Sequence, residues 1–410
     1  MLLPNNKQNT KLFAYADAAR FAYNWALEKE MEAFQKGEKF LSDSVLRKDF
    51  TQFKKTEEGK WLNHISNNVT KQAIKDCCVA FGNFFREYKK TGIQYSKKKR
   101  DYFARIGKPL TVYDRKCHPK FKSRKHSVPK FYQDNMKLKV TDTHVKVEGF
   151  ASSKKRNKQT LNWIRLAERG RIPTNANYTN PRIKYDGEHW WLTLGVKEAD
   201  TRVPLEKEGM GIDLGVKELA VCSDGKRYKN INKTRMVKGL EKKKRRIQRG
   251  IARKYEKNKE GGRYCKTSNI IKREKELLKL NQRLTNLRQN YLHQITSEIV
   301  KREPSFICME DLHVKGMMKN KHLSKAIQEQ SFFEFRRQIS YKAEWKGIKV
   351  IVADRYFPSS KKCIVCGHIK KDLKLSNRIY RCECGNVIDR DYQAALNLRG
   401  YGENVLKSVH

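Results

Sequence analysis

Apolar side chains recur at helical spacing close to the start of the chain. Leu12, Ala16, Ala19, Tyr23 and Ala26 line one side of residues 6–31, with Phe13, Phe21 and Trp25 nearby, and this period predicts a helix. A second helical pattern runs over 66–90. Its apolar side holds Val69, Ala73, Cys77, Ala80, Phe81, Phe84 and Phe85, and its polar side offers Lys71, Gln72, Lys75 and Arg86. Together the two predict a small helical bundle. The period is then lost. Residues 96–130 are rich in Lys and Arg, contain Pro109, Pro119 and Pro129, and read as a loop. From Phe131 the apolar positions alternate through Met136, Leu138, Val140, Val145 and Val147, then over Trp163–Leu166 and Trp190–Val196. Alternation over short runs predicts strands joined by turns, as in a small β-barrel.

A second domain is predicted to begin near Pro204. Gly209–Val216 reads as a strand and Glu218–Gly225 as its hairpin partner. Twelve Lys or Arg against two Glu follow over 233–257. A long helix carries Leu277, Leu280, Leu284, Leu287, Tyr291 and Ile295 down one side and stops before Pro304, because proline cannot continue it. Ser305–Glu310 is a buried strand. One helix near 324–345, a strand over 348–353 and a last helix from Asp391 to about Leu398 complete the pattern.

Charge narrows the function classes. The 410 residues hold 91 Lys plus Arg against 44 Asp plus Glu, a formal charge of +47. A compact chain with that surplus repels itself unless a polyanion neutralises it. Nucleic acid is the expected partner, because Lys and Arg on phosphates release condensed counterions. No apolar run is long enough to span a bilayer and Met1–Asn5 is no signal peptide, so no membrane partner is expected. The segment from His118 to Lys125 interleaves basic groups with Phe121. That mix suits a phosphate backbone and makes Lys120, Lys122 and Arg124 candidate contacts.

Ten cysteines divide unevenly. Six are scattered, and four form Cys363-x-x-Cys366 and, fifteen residues on, Cys382-x-Cys384, each pair followed by glycine. This points to a reducing cytoplasm and one metal site, not a disulfide scaffold. Four thiolates close a tetrahedral zinc site with no open position, so one structural Zn²⁺ is expected there. His368 is a substitute ligand of lower rank. Three acids make a second constellation. In the strand over 209–216, Gly209, Gly211, Asp213 and Gly215 share one face, which leaves Asp213 alone among glycines with room for a metal and a phosphate. Glu310 ends a buried strand. Asp389 and Asp391 open the last helix, where either could simply cap it. Carboxylates on such elements can hold two Mg²⁺ about 4 Å apart.

Taken in order, Gly-Ile-Asp213-Leu-Gly, Met-Glu310-Asp-Leu, the two cysteine pairs and Asp-Arg-Asp391 resemble the TnpB family. These are transposon-encoded RNA-guided nucleases with a RuvC-type, RNase H-like domain, related to compact type V CRISPR effectors. The resemblance is strongest over 205–400 and weaker around Arg20–Trp25, Ala80–Phe85 and Pro119–Arg124. It implies an α+β multidomain fold. A β-barrel (1–10 and 96–203) would grip RNA beside a helical domain (11–95). An RNase H-like α/β domain (204–356 and 386–410) would carry an inserted zinc ribbon (357–385) that supports or loads the substrate strand. It also implies catalytic, Mg²⁺-binding roles for Asp213, Glu310 and Asp391, a guide RNA, and a target DNA with a short flanking motif. Lys71, Gln72 and Lys75 are candidates for contacting that flanking DNA. Gln393 stands where the family usually has Asn. Only Leu2–Asn5 remains of the usual first strand and turn, so the barrel is expected to lack an edge or the natural start to lie upstream. A bacterial cytoplasmic location and a monomer in preference to a dimer are expected. The alternatives are an RNA-guided repressor without cleavage, a zinc-ribbon RNA-binding protein, and a transposase.

Overall fold

The structure is a computed structural model. It describes all residues except 93, 112, 113, 116, 126, 151–160, 198–201, 203, 204, 206, 321, 374–376, 409 and 410, and leaves the side chains of 91 and 315 undescribed. The chain forms two compact units, Met1–Glu198 and Ala199–His410. The predicted boundary at Pro204 lies outside the described residues.

The first unit opens with β1 (Leu2–Leu3) and the thirty-residue helix α1 (Asn6–Gln35). Asn5 starts the helix by a reciprocal cap: its Oδ1 accepts from Gln8 N at 2.8 Å, and Gln8 Oε1 accepts from Asn5 N at 3.0 Å, which satisfies two otherwise orphaned donors. Helices α2 (Asp43–Phe53), α3 (Asn67–Thr91) and α4 (Lys97–Arg105) follow. α4 corrects the expectation of a continuous loop. None of its residues is buried, so it carries no apolar period to read. Six strands complete the unit: β2 (Lys130–Tyr132), β3 (Lys139–Val140), β4 (His144–Lys146), β5 (Trp163–Leu166), β6 (Tyr178–Tyr185) and β7 (Trp190–Val196). With β1 they form one sheet in the order β2-β6-β7-β1-β5-β4-β3. The two residues of β1 are therefore interior. Leu2 pairs with Leu166 on one side and Trp190 on the other and is buried. Leu2–Leu3 is thus a central strand of this sheet, whose edges are β2 and β3. Helices and sheet share one apolar cluster, in which Leu12 and Phe81 join Phe131 and Trp190.

The second unit is built on a five-stranded sheet in the order β10-β9-β8-β13-β14. Its chain runs β8 (Met210–Leu214), β9 (Glu218–Cys222), β10 (Arg227–Lys229), α5 (Arg235–Lys257), the small hairpin β11 (Lys259–Glu260) and β12 (Arg263–Tyr264), then α6 (Ser268–Lys301) and β13 (Phe306–Glu310). Next come α7 (Val314–Met317), α8 (Ser324–Gln330), α9 (Phe332–Trp345), β14 (Lys349–Ala353), β15 (Ile379–Arg381), β16 (Val387–Asp389) and α10 (Arg390–Lys407). The single helix expected near 324–345 is two helices. They break at Ser331, whose φ of +56° no helix interior tolerates. The last helix runs on past Leu398 to Lys407.

Strands β8 and β9 are antiparallel, whereas β8, β13 and β14 run parallel. Parallel strands are buried on both faces. One face puts Met210, Ile212, Ile307 and Met309 with Ile295 of α6 and Phe335 and Ile339 of α9. The other puts Phe306, Cys308 and Ile351 against Leu398 of α10.

Candidate active site and four-cysteine centre

Register brings the first two acids together. Gly211 lies beside Cys308 and Ile212 beside Met309. One residue further along the parallel strands come Asp213 and Glu310, on the face that also holds Gly211 and Cys308. Helix α10 packs on that face. A Cβ added at Gly211 would lie 1.9 Å from Ala395 O and 2.5 Å from Arg399 N, and one at Gly209 would lie 2.0 Å from the Phe306 ring. The glycines therefore admit a helix backbone and an aromatic ring. This corrects the expectation that they leave open space for a ligand.

The third acid arrives on the first turn of α10. Asp389 is committed to capping: its Oδ1 accepts from Asp391 N and Tyr392 N, both at 3.0 Å, and it pairs with Arg227 at 3.1 Å. Asp391 points elsewhere. Its charge is the strongest of those that raise the pKa of Asp213. Arg390 pairs with it at 3.0 Å and Arg378 at 3.6 Å. Neither arginine was picked out from the sequence, although Arg390 is the middle residue of the Asp-Arg-Asp motif.

Electrostatics sets these carboxyls apart. Burial, then the charges of Asp391 and Glu310, push Asp213 up to about 8, with Arg390 opposing. Burial also raises Glu310, helped by its neighbour Asp311. Asp311 itself is held low by Arg355 at 2.6 Å and Arg336 at 3.0 Å. Among the described residues, Asp213 and Glu310 have no ion-pair partner. Two part-buried acids without ion-pair partners among the described residues, pushed toward the neutral form, are a chemical fit to a divalent metal.

The four cysteines are more tightly gathered. Among the described residues they are the one group whose potential ligand atoms all lie within 4.8 Å of one another. Cys363 Sγ is 3.7 Å from Cys384 Sγ, and Cys366 Sγ is 3.5 Å from Cys382 Sγ. Thiolates about 2.3 Å from a tetrahedral zinc are about 3.8 Å apart, so the cluster fits that ion. Gly367 and Gly385 turn the chain at φ +75° and +88°, which favours glycine. Their amides donate to Cys363 O at 3.0 Å and Cys382 O at 3.1 Å.

The candidate nucleic-acid contacts divide. Lys71, Lys75, Lys120 and Arg124 are exposed. Gln72 donates to Asp76 at 2.9 Å. Lys122 turns inward: its Nζ lies 3.0 Å from the centre of the Tyr23 ring, its backbone exchanges hydrogen bonds of 2.8 and 2.9 Å with Asn24, and burial lowers its pKa to about 8. His118, buried against Phe81 and Phe84, anchors the same segment.

Three family models match the chain. "Probable transposase" matches 193–321, "Cas12f1-like, TNB domain" matches 332–398, and "Helix-turn-helix domain" matches 1–39. Similar proteins extend nearly end to end. One from Streptomyces pristinaespiralis, provisionally named an RNA-guided DNA endonuclease, is 27% identical over 97% of this chain and 87% of its own length. InsQ of Escherichia coli K12, provisionally named likewise, is 25% identical over 99% and 92%. In sequence the chain is similar over nearly its whole length to these TnpB-type proteins. The CRISPR-associated endodeoxyribonuclease Cas12f1 of Sulfoacidibacillus thermotolerans is 31% identical over 51% of this chain and 49% of that protein. A solved Cas12f1–sgRNA–target DNA complex shares the fold, with a TM-score of 0.53 and 16% identity over 96% of this chain and 82% of that one. The transposase match spans Asp213 and Glu310, and the Cas12f1-like match spans Asp391 and all four cysteines. The segment matched as helix-turn-helix is here β1 followed by the single long helix α1.

Proposed function

We propose that this chain is an RNA-guided DNA endonuclease whose catalytic carboxylates are Asp213, Glu310 and Asp391. One observation carries the reading: β8, β13 and the first turn of α10 set three acids at one end of a sheet, where burial and mutual charge lift Asp213 to about 8. Relatives similar over nearly the whole chain bear RNA-guided endonuclease names, which supports the reaction class. Mg²⁺ held by these carboxylates would activate water and stabilise the leaving oxygen of a phosphodiester. The protein's own part is to hold three carboxylates still and half-buried, with Arg390 and Arg378 balancing Asp391.

In this reading 204–356 and 386–410 form an RNase H-like nuclease domain around a zinc ribbon at 357–385, with Zn²⁺ on Cys363, Cys366, Cys382 and Cys384. Residues 1–10 with 96–203 form a barrel-like RNA-binding domain, and 11–95 a recognition domain. Guide RNA and target DNA with a flanking motif are the partners, and base pairing reads most of the sequence. Lys71, Lys75, Lys120 and Arg124 offer exposed cations to their phosphates, and Gln72 flanks them.

The test uses the protein purified with its copurifying RNA and a matched target. Asp213→Ala should abolish Mg²⁺-dependent cleavage and retain RNA-dependent DNA binding. Wild-type cleavage by that variant overturns the site. An intact target after long incubation with the wild-type complex favours an RNA-guided repressor.

A further inference from the structure

Helix α10 carries Asp391 on its first turn and also grips the cysteine centre, by a different set of side chains. Asn386 stands two residues after Cys384. Its Nδ2 donates to Cys363 Sγ at 3.3 Å and to Gln393 Oε1 at 3.1 Å, so both amide hydrogens are engaged. Gln393 lies on α10, two residues after Asp391, and is fully buried. Its own Nε2 is buried without an acceptor among the described residues. An orphaned buried donor costs about 1–3 kcal/mol, a cost that methionine of similar length would avoid. Packing alone gives no reason for an amide there, whereas the contact to Asn386 does.

A second amide fixes the same junction. Asn397 Nδ2 donates to Ser359 O and Lys362 O, both at 2.7 Å, and so holds the backbone that leads into Cys363. Residues 393 and 397 are four apart and share one side of the helix. The other side, at Ala395, rests on Gly211 beside Asp213. The helix is thus clamped between the acid-bearing sheet and the thiolates.

We propose that the Asn386–Gln393 amide pair is a positioning link through which the closed four-thiolate centre fixes the first turn of α10 and aims Asp391 at Asp213 and Glu310. The inference rests on the reading of those acids as a divalent-metal site. Groups that orient metal ligands at one remove typically change affinity by 10–100-fold when removed. Here the link spans two centres, so the zinc ribbon would set the cation affinity of the acids without touching their ligands.

The experiment measures Mn²⁺ binding to the full-length protein by the electron paramagnetic resonance signal of free Mn²⁺. Zinc content and thermal midpoint are measured on the same samples. Gln393→Met and Asn386→Ala should each keep about one zinc per chain and raise the Mn²⁺ dissociation constant on the order of tenfold. The double variant should be no worse than either single one. A merely structural role would move the thermal midpoint and leave Mn²⁺ affinity unchanged. Should Asn386→Ala shed its zinc, Gln393→Met, which keeps the Asn386–Cys363 contact, decides. Wild-type Mn²⁺ affinity in a zinc-loaded Gln393→Met protein overturns the link. Asp391→Asn separates the two failures: if it abolishes Mn²⁺ binding while the link variants bind normally, only the link is wrong. If it leaves Mn²⁺ binding intact, the reading of the acid site is wrong as well.

Discussion

The second unit gathers candidate metal ligands twice, by opposite means. The cysteines come from one short stretch, Cys363 to Cys384, and two glycine turns with φ of +75° and +88° aim them. Local chain geometry does nearly all of the assembly. The acids sit at positions 213, 310 and 391 and meet only because β8 and β13 pair in register and α10 packs across them. No local turn brings them together. The thiolate centre should therefore fail when a ligand is lost, and the acid site should fail when distant packing is lost.

The largest expected effect tests the first half of that contrast. Structural zinc in such sites contributes about 10 kcal/mol or more of folding free energy. Cys363→Ala should bring zinc content, measured by plasma mass spectrometry, from about one ion per chain to near none. Full zinc retention by that variant would show that fewer thiolates suffice and that the centre is not closed. The second half is tested at Gly211, which bears no charge. An added methyl would lie 1.9 Å from Ala395 O, a backbone atom that cannot swing aside. Gly211→Ala should cost about 3 kcal/mol in urea unfolding, at the upper end of ordinary overpacking, and cleavage should fall with it. Unchanged stability would mean that α10 does not seat on β8 as described.

The same contrast explains what the sequence made legible. The cysteine spacing disclosed the ligand set directly, because all its information lies within one segment. The acids could be named, but their surroundings could not. Strand alternation told which side Asp213 shares with Gly211 and was silent on what covers that side, so the glycines read as empty space. Elements without an apolar period were likewise hidden. α4 buries nothing, and the positive φ of Ser331, which splits α8 from α9, has no residue-type signal such as glycine. A two-residue strand such as Leu2–Leu3 is too short to alternate, so only its neighbours Leu166 and Trp190 show that it is central. The contact of the Lys122 ammonium with Tyr23 is one that no one-dimensional pattern foretells.

Ligand removal should have opposite signs at the two centres. Asp213 in the folded protein titrates near 8, and in the unfolded chain near the ordinary value of about 3.9. Below pH 4 both states are protonated and the group is neutral in its effect. Between about pH 4 and 8 the unfolded chain ionises and the folded one resists, so stability is lost as pH rises. Asp213→Asn removes that loss. In EDTA at pH 8 the variant should exceed the wild type by on the order of 2 kcal/mol, after discounting for partial exposure. The difference should shrink toward zero near pH 4. Urea midpoints across that range measure it, and a variant no more stable than wild type at pH 8 would remove the case for crowded carboxyls.

The smallest effect separates two adjacent acids. Asp389 accepts from two amides of α10 and pairs with Arg227, the behaviour of an N-cap. Asp391 instead presses its charge on Asp213. Asp389→Ala should therefore cost about 1 kcal/mol of stability, the usual worth of a cap, and reduce cleavage only as far as the helix end frays. Asp391→Ala should leave the cap intact, change the unfolding midpoint little, and abolish cleavage. The two variants thus exchange their effects on stability and on rate. If Asp389→Ala removes cleavage with an unchanged midpoint, while Asp391→Ala lowers the midpoint and still cuts, then Asp389 is the third ligand and Asp391 the structural acid. The packing argument for the acid site would then need the helix to enter the sheet one half-turn earlier.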